Sequence, residues 1–276
     1  MLYMIDTITR YLRTHTNPPV FIISMVIVLG FVLWGTLAPV HLNTATSTVM
    51  DFITTYFGWW YVLSVTGLVL FVIYLFFSQY GHIRIGRDNE RPEWGTWSWF
   101  AMLFTAGMGI GLVFFGVAEP IFHFTNPPLG DGGSTAAAYD AMSLTFFHWG
   151  IHPWAIYIVV GLSLGYFCFR HDLPLRPAAA FYPLIGERIY GWLGNTIDVL
   201  AVFGTLFGLA TSLGLGAIQI NAGLDSLFGI ASSATVQVII IIVITAIAVL
   251  SVMLGLANGV RRLSVLNVWL AGILAV

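Results

Sequence analysis

Three aromatic side chains, Trp149, Trp154 and Tyr157, lie close together in one apolar segment. On a continuous helix Trp154 lies about 140° from Trp149, with Tyr157 between them at about 80°, so the three share one broad face. Aromatic faces attract cations, and several together form the usual cage for a quaternary ammonium group. An interfacial aromatic belt also explains Trp149, but it does not explain the two deeper rings. The spacing therefore predicts a candidate cation cage.

A second pattern is a string of alternating glycines, Gly107, Gly109 and Gly111, in the uncharged run 94–118. Glycine is a poor helix former, and irregular backbone at membrane depth is tolerated only in protein or beside a cavity. Broken helices of this kind bind solute and ion in many transporters. We therefore predict an unwound, solute-facing segment with Met108 beside the solute. The alternative is close helix packing, since Gly107 and Gly111 also form a GxxxG pair.

Polar side chains recur every seven residues along a later apolar segment, so they share one helix face. These residues are Asp198, Thr205, Ser212 and Gln219. A hydroxyl on this face could bind a cation, and an ionisable residue such as Asp198 is a functional candidate at that depth. Hydrogen bonds between packed helices are the alternative explanation, and both stay open.

His148 and His152 are four residues apart, a spacing that can hold a metal ion. We find no third ligand with matching spacing, so we expect no metal site. Glu119 and Pro120 are expected to end their span at its outer side, with Glu119 as a structural or gating group at the rim. The single cysteine, Cys168, excludes an internal disulfide bond.

Composition places the chain in a membrane. It is 58% hydrophobic and 8% charged, with a mean hydropathy of +0.90, whereas soluble domains carry about 25% charged residues. The bilayer is therefore an expected partner. The net charge of −2 gives no reason to expect a nucleic-acid partner, and no cofactor is expected.

Long apolar segments predict six complete spans and the start of a seventh near Ser264. The six are residues 20–40, 59–77, 100–117, 146–166, 197–215 and 236–256. A chain rarely ends on an apolar residue within a span, so we expect a fragment of a longer protein. No cleavable signal peptide is evident.

All 10 basic residues are arginines, and they fall on one side of the predicted spans. They precede span 1 or lie between spans 2 and 3, 4 and 5, and 6 and 7, at Arg10, Arg13, Arg84, Arg87, Arg91, Arg170, Arg176, Arg188, Arg261 and Arg262. This distribution predicts a multi-pass protein of the inner cell membrane with a cytoplasmic N-terminus.

Taken together in this order and spacing, the motifs resemble the betaine/choline/carnitine transporter (BCCT) family. The matching stretches are 106–111 (AGMGIG), 114–120 (FFGVAEP), 148–157 (HWGIHPWAIY), 205–208 (TLFG), 212–216 (SLGLG) and 219–223 (QINAG). The resemblance runs from about span 1 to the end of the chain.

The resemblance implies an all-α membrane fold of twelve helices, in which two peripheral helices precede a LeuT-like core of two inverted five-helix repeats. Residues 1–92 would then hold the N-terminus and the peripheral helices 1 and 2. Residues 93–276 would form the first repeat, helices 3–7, with the seventh incomplete. The second repeat, which in the family carries a Trp-rich part of the substrate cage, would be absent.

The resemblance also assigns roles to the substrate residues. Trp149, Trp154 and Tyr157 match aromatics of the cage and of the path to it, and residues 107–111 match the unwound third helix. Choline carriers of the family often have Asp at the position of Gly111. Glycine there implies a zwitterion that brings its own carboxylate, such as glycine betaine.

The ion residues follow in the same way. The carbonyls of Thr105 and Met108 match one sodium site, and the hydroxyl of Thr205 matches the other. A second threonine one turn later is replaced by Leu209, which leaves the coupling ion open between Na⁺ and H⁺.

The resulting hypothesis is a secondary active transporter, not an enzyme, that imports a quaternary-ammonium zwitterion by alternating access. Sodium coupling is the first expectation, and a homotrimer is a family expectation. The alternatives are a proton-coupled choline or carnitine transporter or exchanger, and a sodium-coupled amino-acid symporter. The rivals from other classes are a membrane-embedded enzyme that uses Glu119, His148 and His152, and an inactive fragment or scaffold.

Overall fold

The computed structural model describes residues 16–275, and all regular elements in that range are helical. Arg10 and Arg13, which support the predicted orientation, lie outside the described residues. Six helical segments are long and apolar enough to cross a membrane, and at most 17% of the residues in their most apolar windows are buried within the chain. Most of their apolar side chains are thus left for lipid or for other protein. The prediction of an integral membrane protein with six complete spans is confirmed.

Ten α-helices form the described chain, joined in places by π-helical and 3₁₀ turns. They are α1 Pro18–Leu37, α2 Pro39–Phe77, α3 Thr96–Gly107, α4 Gly116–Thr125, α5 Thr135–Trp149, α6 Ile151–Gly165, α7 Tyr182–Ile185, α8 Trp192–Phe228, α9 Ala234–Met253 and α10 Arg261–Leu274. The π-helices are Met108–Phe115, Tyr166–Arg170 and Leu256–Val260, and the 3₁₀ helices are Gln79–His82, Pro177–Phe181 and Gly186–Tyr190.

The second span begins much earlier than its apolar residues suggest. The chain leaves the helical conformation only at Ala38, and α2 starts at Pro39, a favourable residue for a first helical turn. The threonine-rich segment that follows stays helical because its hydroxyls bond to carbonyls one turn earlier. These bonds are 2.8–3.0 Å long and come from Thr44, Thr46, Thr48 and Thr54. The predicted bounds of 20–40 and 59–77 missed this helical stretch.

The fourth span is two helices rather than one. Ser134 caps the start of α5 by accepting a hydrogen bond from the Ala137 N–H at 3.1 Å. At the other end Gly150 adopts φ −83°, ψ −132°, and an added Cβ would lie 2.3 Å from the carbonyl oxygen of Phe146. Only glycine fits this bend, so the helix predicted over 146–166 is interrupted here.

The described chain divides into two compact units that interleave along the sequence. One comprises residues 16–89 and 151–207, and the other comprises 90–150 and 208–275. In the first, α2 packs against α1 and α6; in the second, α4 packs against α5, and α3 against α10. The division by chain order at residue 92 and the inverted-repeat architecture stay predictions.

The predicted seventh segment forms α10. Gly255, at φ 75°, separates it from α9 in a conformation that favours glycine. The helix then packs on α3, where the rings of Trp97 and Trp269 lie 6.0 Å apart.

Candidate functional site

The glycine string is irregular, as predicted, but it is not unwound. Met108–Phe115 forms a π-helix between α3 and α4, so the prediction of an unwound backbone is wrong in form. At the borders the Met108 N–H donates to the Thr105 carbonyl and the Gly116 N–H donates to those of Gly111 and Phe114. A π turn keeps backbone groups paired while widening the helix, and such turns are frequent at functional sites.

A side chain from α8 supports this π-helix. The Nε2 of Gln219 donates to the Val113 carbonyl oxygen at 3.3 Å. Gln219 was predicted as the last member of the polar stripe. Its contact is a hydrogen bond between helices, which agrees with the packing alternative at this position.

Among the glycines of the string, Gly111 makes the closest approach described to an aromatic ring. A Cβ added there would lie 3.1 and 3.2 Å from Cε3 and Cζ3 of Trp149. A Cβ at Gly109 would meet open space. Gly107 closes α3 at the border of the π-helix, and Met108 is buried. A side chain at position 111 would therefore push the Trp149 ring by a few tenths of an ångström, whereas one at position 109 would not touch it.

The Trp149 ring is held on three sides. One edge lies against Gly111, and one face stacks on Phe115 with ring centroids 5.0 Å apart and planes 20° apart. The indole Nε1–H donates to Oε2 of Glu119. The side chain remains partly exposed. Trp149 is thus a pre-oriented aromatic side chain beside the π-helix, and sequence spacing alone did not reveal this.

The other two predicted cage residues lie on α6, in the unit of residues 16–89 and 151–207. The rings of Trp154 and Tyr157 are 5.8 Å apart and tilted by 43°. Trp154 is partly buried and Tyr157 is 58% exposed. Because the helix is interrupted at Gly150, the 100° count that placed them on a face with Trp149 does not apply. Their role in a common cage stays a prediction.

Glu119 is the centre of a polar cluster. Its Oε1 contacts Nε2 of His123 at 3.3 Å and Nδ1 of His148, while its Oε2 accepts from Trp149. The expectation that Glu119 and Pro120 end the span is wrong, since α4 continues through Pro120 to Thr125. That extra turn is what carries His123 to the carboxylate.

His123 is not among the residues predicted from the sequence. The four-residue spacing of His148 and His152 indicated no third ligand, whereas potential ligand atoms of Glu119, His123 and His148 lie within 4.8 Å of one another. The signal was present in the four-residue spacing of Glu119 and His123, which places both on one helix face. His152 lies in the other unit, where its Nε2 is 3.5 Å from the Thr66 hydroxyl.

The predicted ion residues fall in both units. The hydroxyl of Thr105 donates to the Ser264 carbonyl at 3.3 Å, and the Thr105 carbonyl already accepts from Met108. Thr205 is exposed on α8, and Leu209, one turn later, is 54% exposed. Their roles as sodium ligands stay predictions.

Asp198 has structural partners. It is 5% exposed and accepts a hydrogen bond from the Ala178 N–H at 2.9 Å. Its second oxygen lies 3.4 Å from Nη1 of Arg176, and the same guanidinium lies over the ring of Tyr190. Asp198 therefore anchors the connection between α6 and α8, which agrees with the structural rather than the functional reading of this residue.

One family model and several known proteins match this chain over most of its length. A family model described as betaine/carnitine/choline family transporter matches residues 19–276. The chain is 48% identical over 257 residues to a glycine betaine transporter of Acinetobacter baylyi, covering 93% of this chain and 39% of that protein. It is 47% identical over 256 residues to the glycine betaine transporter OpuD of Bacillus subtilis, covering 92% and 50%. It is 40% identical over 267 residues to the osmo-dependent choline transporter BetT2 of A. baylyi, covering 97% and 39%. The chain thus spans half or less of the length of these relatives.

Proposed function

The chain belongs to the betaine/carnitine/choline family of transporters, and we propose that the protein is a secondary active transporter that imports a trimethylammonium zwitterion, with glycine betaine as the first candidate. The family consists of transporters and not of enzymes, so the rival hypothesis of a membrane-embedded enzyme is wrong. Alternating access would carry the solute across the bilayer.

The observation that carries the proposal is the fixed Trp149 ring. A cation–π contact is worth about 2 kcal/mol when the cation is desolvated. A ring held by Phe115, Gly111 and Glu119 loses little conformational freedom when it meets that cation. Trp154 and Tyr157 would supply further aromatic faces.

The preference for a zwitterion rests on position 111. Gly111 carries no carboxylate to balance a cation, so a substrate with its own carboxylate fits this site better than a bare cation. We propose that this carboxylate lies near the backbone of the π-helix, where an amide that gives up its present carbonyl partner could donate to it. The glycine betaine relatives at 47–48% identity also favour this substrate over choline.

Sodium is the proposed coupling ion. One sodium site would take the carbonyls of Thr105 and Met108, and a second site would take the hydroxyl of Thr205. Leu209 removes one hydroxyl from the second site, so proton coupling is the alternative. The carbonyl of Thr105 would exchange its present bond from the Met108 N–H for the ion.

The architecture proposed for the whole protein is a LeuT-like pair of inverted repeats in the inner membrane, with a cytoplasmic N-terminus and a homotrimeric assembly. The six spans and the placement of the arginines support the multi-pass arrangement. The second repeat would complete the cage.

The test is uptake of labelled glycine betaine by the full-length gene product, in cells that lack their own carriers, with either sodium or potassium outside. Uptake that needs sodium supports a sodium symporter. Uptake in both salts contradicts sodium coupling, and no uptake in either salt contradicts the betaine assignment.

Choline is the second candidate, because choline transporters are also among the relatives at 40–42% identity. Excess unlabelled choline in the same assay separates the two. The proposal predicts weak competition by choline and strong competition by unlabelled glycine betaine.

A further inference from the structure

We propose that Glu119, His123 and His148 form a binding site for a transition-metal dication, with Zn²⁺ as the representative ion. The site does not depend on the proposed transport activity. It lies where the end of α5 returns beside α4, within the unit of residues 90–150 and 208–275.

The geometry fits a metal ion. Glu119 and His123 are one turn apart on α4, and His148 comes from the last turn of α5. Their ligand atoms lie within 4.8 Å of one another, and Nε2 of His123 is 3.3 Å from Oε1 of Glu119. Ligands about 2.0–2.1 Å from a tetrahedral zinc ion lie roughly 3.3 Å apart. Small side-chain adjustments would therefore place all three around one ion.

The chemistry of the three groups also fits. Two imidazole nitrogens approach the same carboxylate oxygen, Oε1 of Glu119. Two histidines with one glutamate are an established zinc ligand set, which leaves a fourth position for water. Imidazole suits zinc, copper, iron and nickel, whereas magnesium and calcium prefer oxygen ligands. The site thus favours transition-metal ions.

The three side chains differ in their exposure to solvent. The side chains of Glu119 and His123 are 10% and 16% exposed, whereas that of His148 is 45% exposed. The described residues therefore leave the cluster uncovered on the His148 side. Trp149 donates to the second oxygen of Glu119, and such outer hydrogen bonds orient a ligating carboxylate and strengthen a metal site.

The experiment measures Zn²⁺ binding to the purified full-length protein by equilibrium dialysis after chelator treatment, with Co²⁺ absorption as a spectroscopic probe. We expect one ion per chain at this site. His123→Ala and His148→Ala should each weaken binding by at least about tenfold, the lower end of the loss seen when even outer-shell groups are removed. His123→Cys retains a zinc ligand and should bind more tightly than His123→Ala.

His152→Ala is the matched control, because His152 contacts Thr66 in the other unit, and its Zn²⁺ affinity should equal that of the unchanged protein. Far-ultraviolet circular dichroism and size-exclusion chromatography identify the variants that fold. One folded variant, either His123→Ala or His148→Ala, is enough for the test. The proposal is overturned if the unchanged protein binds no Zn²⁺. It is also overturned if folded His123→Ala or His148→Ala binds Zn²⁺ with unchanged affinity.

Discussion

A Cβ added at Gly111 would lie 3.1 Å from Cε3 of Trp149, closer than the usual 3.5–4.0 Å between non-bonded carbon atoms. The ring cannot easily retreat, since Phe115 stacks on it and Glu119 accepts its N–H. A larger residue at position 111 would therefore shift the ring of Trp149, the aromatic side chain that we propose contacts the substrate.

Gly111→Ala should displace the Trp149 ring and raise the apparent KM for glycine betaine by about threefold, because part of a cation–π contact worth about 1–2 kcal/mol is lost. Gly67→Ala, on α2, is the control, since open space surrounds its Cβ position and no substrate role is proposed for it. Labelled uptake over a range of substrate concentrations measures both. Equal effects of the two substitutions would contradict the packing role of Gly111.

Asp198→Asn should destabilise the protein by about 2 kcal/mol, somewhat less than for a fully buried pair, because it leaves the partly buried guanidinium of Arg176 without its charged partner. The amide oxygen can still accept the hydrogen bond from the Ala178 N–H, so the loss of stability measures the contribution of the ion pair. Asp172→Asn is the control. Its pair with Arg87 is 62–67% exposed, and such pairs contribute about 0–1 kcal/mol. Thermal unfolding in detergent compares the two, and similar losses would show that Asp198 is not a buried anchor.

Gln219→Leu should cost about 1 kcal/mol, the typical net contribution of one hydrogen bond, because the Val113 carbonyl loses its donor. Gln219→Glu should cost more, since a carboxylate cannot donate and repels that carbonyl. Thermal unfolding of both variants gives the order. A leucine variant as stable as the unchanged protein would show that the bond does not support the π-helix.

The loop before α3 should respond to acid. The hydrogen bond from Arg170 to Asp88, followed by the Arg170 charge, lowers the pKa of the Asp88 carboxyl below its usual 3.8. A lowered pKa in the folded state means that the pair stabilises fully above pH 3.8 and loses its effect as the pH falls through the lower, folded-state pKa.

The measurement for this pair is the difference in melting temperature between the unchanged protein and Asp88→Asn at decreasing pH. The difference should be small, because the Asp88 side chain is 75% exposed, and it should vanish in acid. A difference that grows as the pH falls below 3.8 would contradict the assignment.

Much of the fold was predictable because long apolar segments directly indicate helices that span the bilayer. All six complete spans were predicted, but their bounds were not. The threonine hydroxyls of α2 and the bend at Gly150 depend on local hydrogen bonding and close backbone contact, which hydropathy does not report.

The site was predictable in its residue types and less so in its geometry. Trp149 was identified, but its support by Phe115 and Glu119 depends on how the π-helix meets α5. His123 was missed because its helix was expected to end near Pro120. A proline ends many helices, yet here the helix continues to Thr125.

The most direct test of the central claim compares Trp149→Phe with Trp149→Leu in the full-length gene product, by the apparent KM for labelled glycine betaine. Both substitutions remove the N–H that donates to Glu119, so their difference isolates the aromatic face. We expect phenylalanine to retain much of the affinity and leucine to raise the KM by at least about tenfold. Equal KM values for the two variants would contradict a quaternary-ammonium site at Trp149.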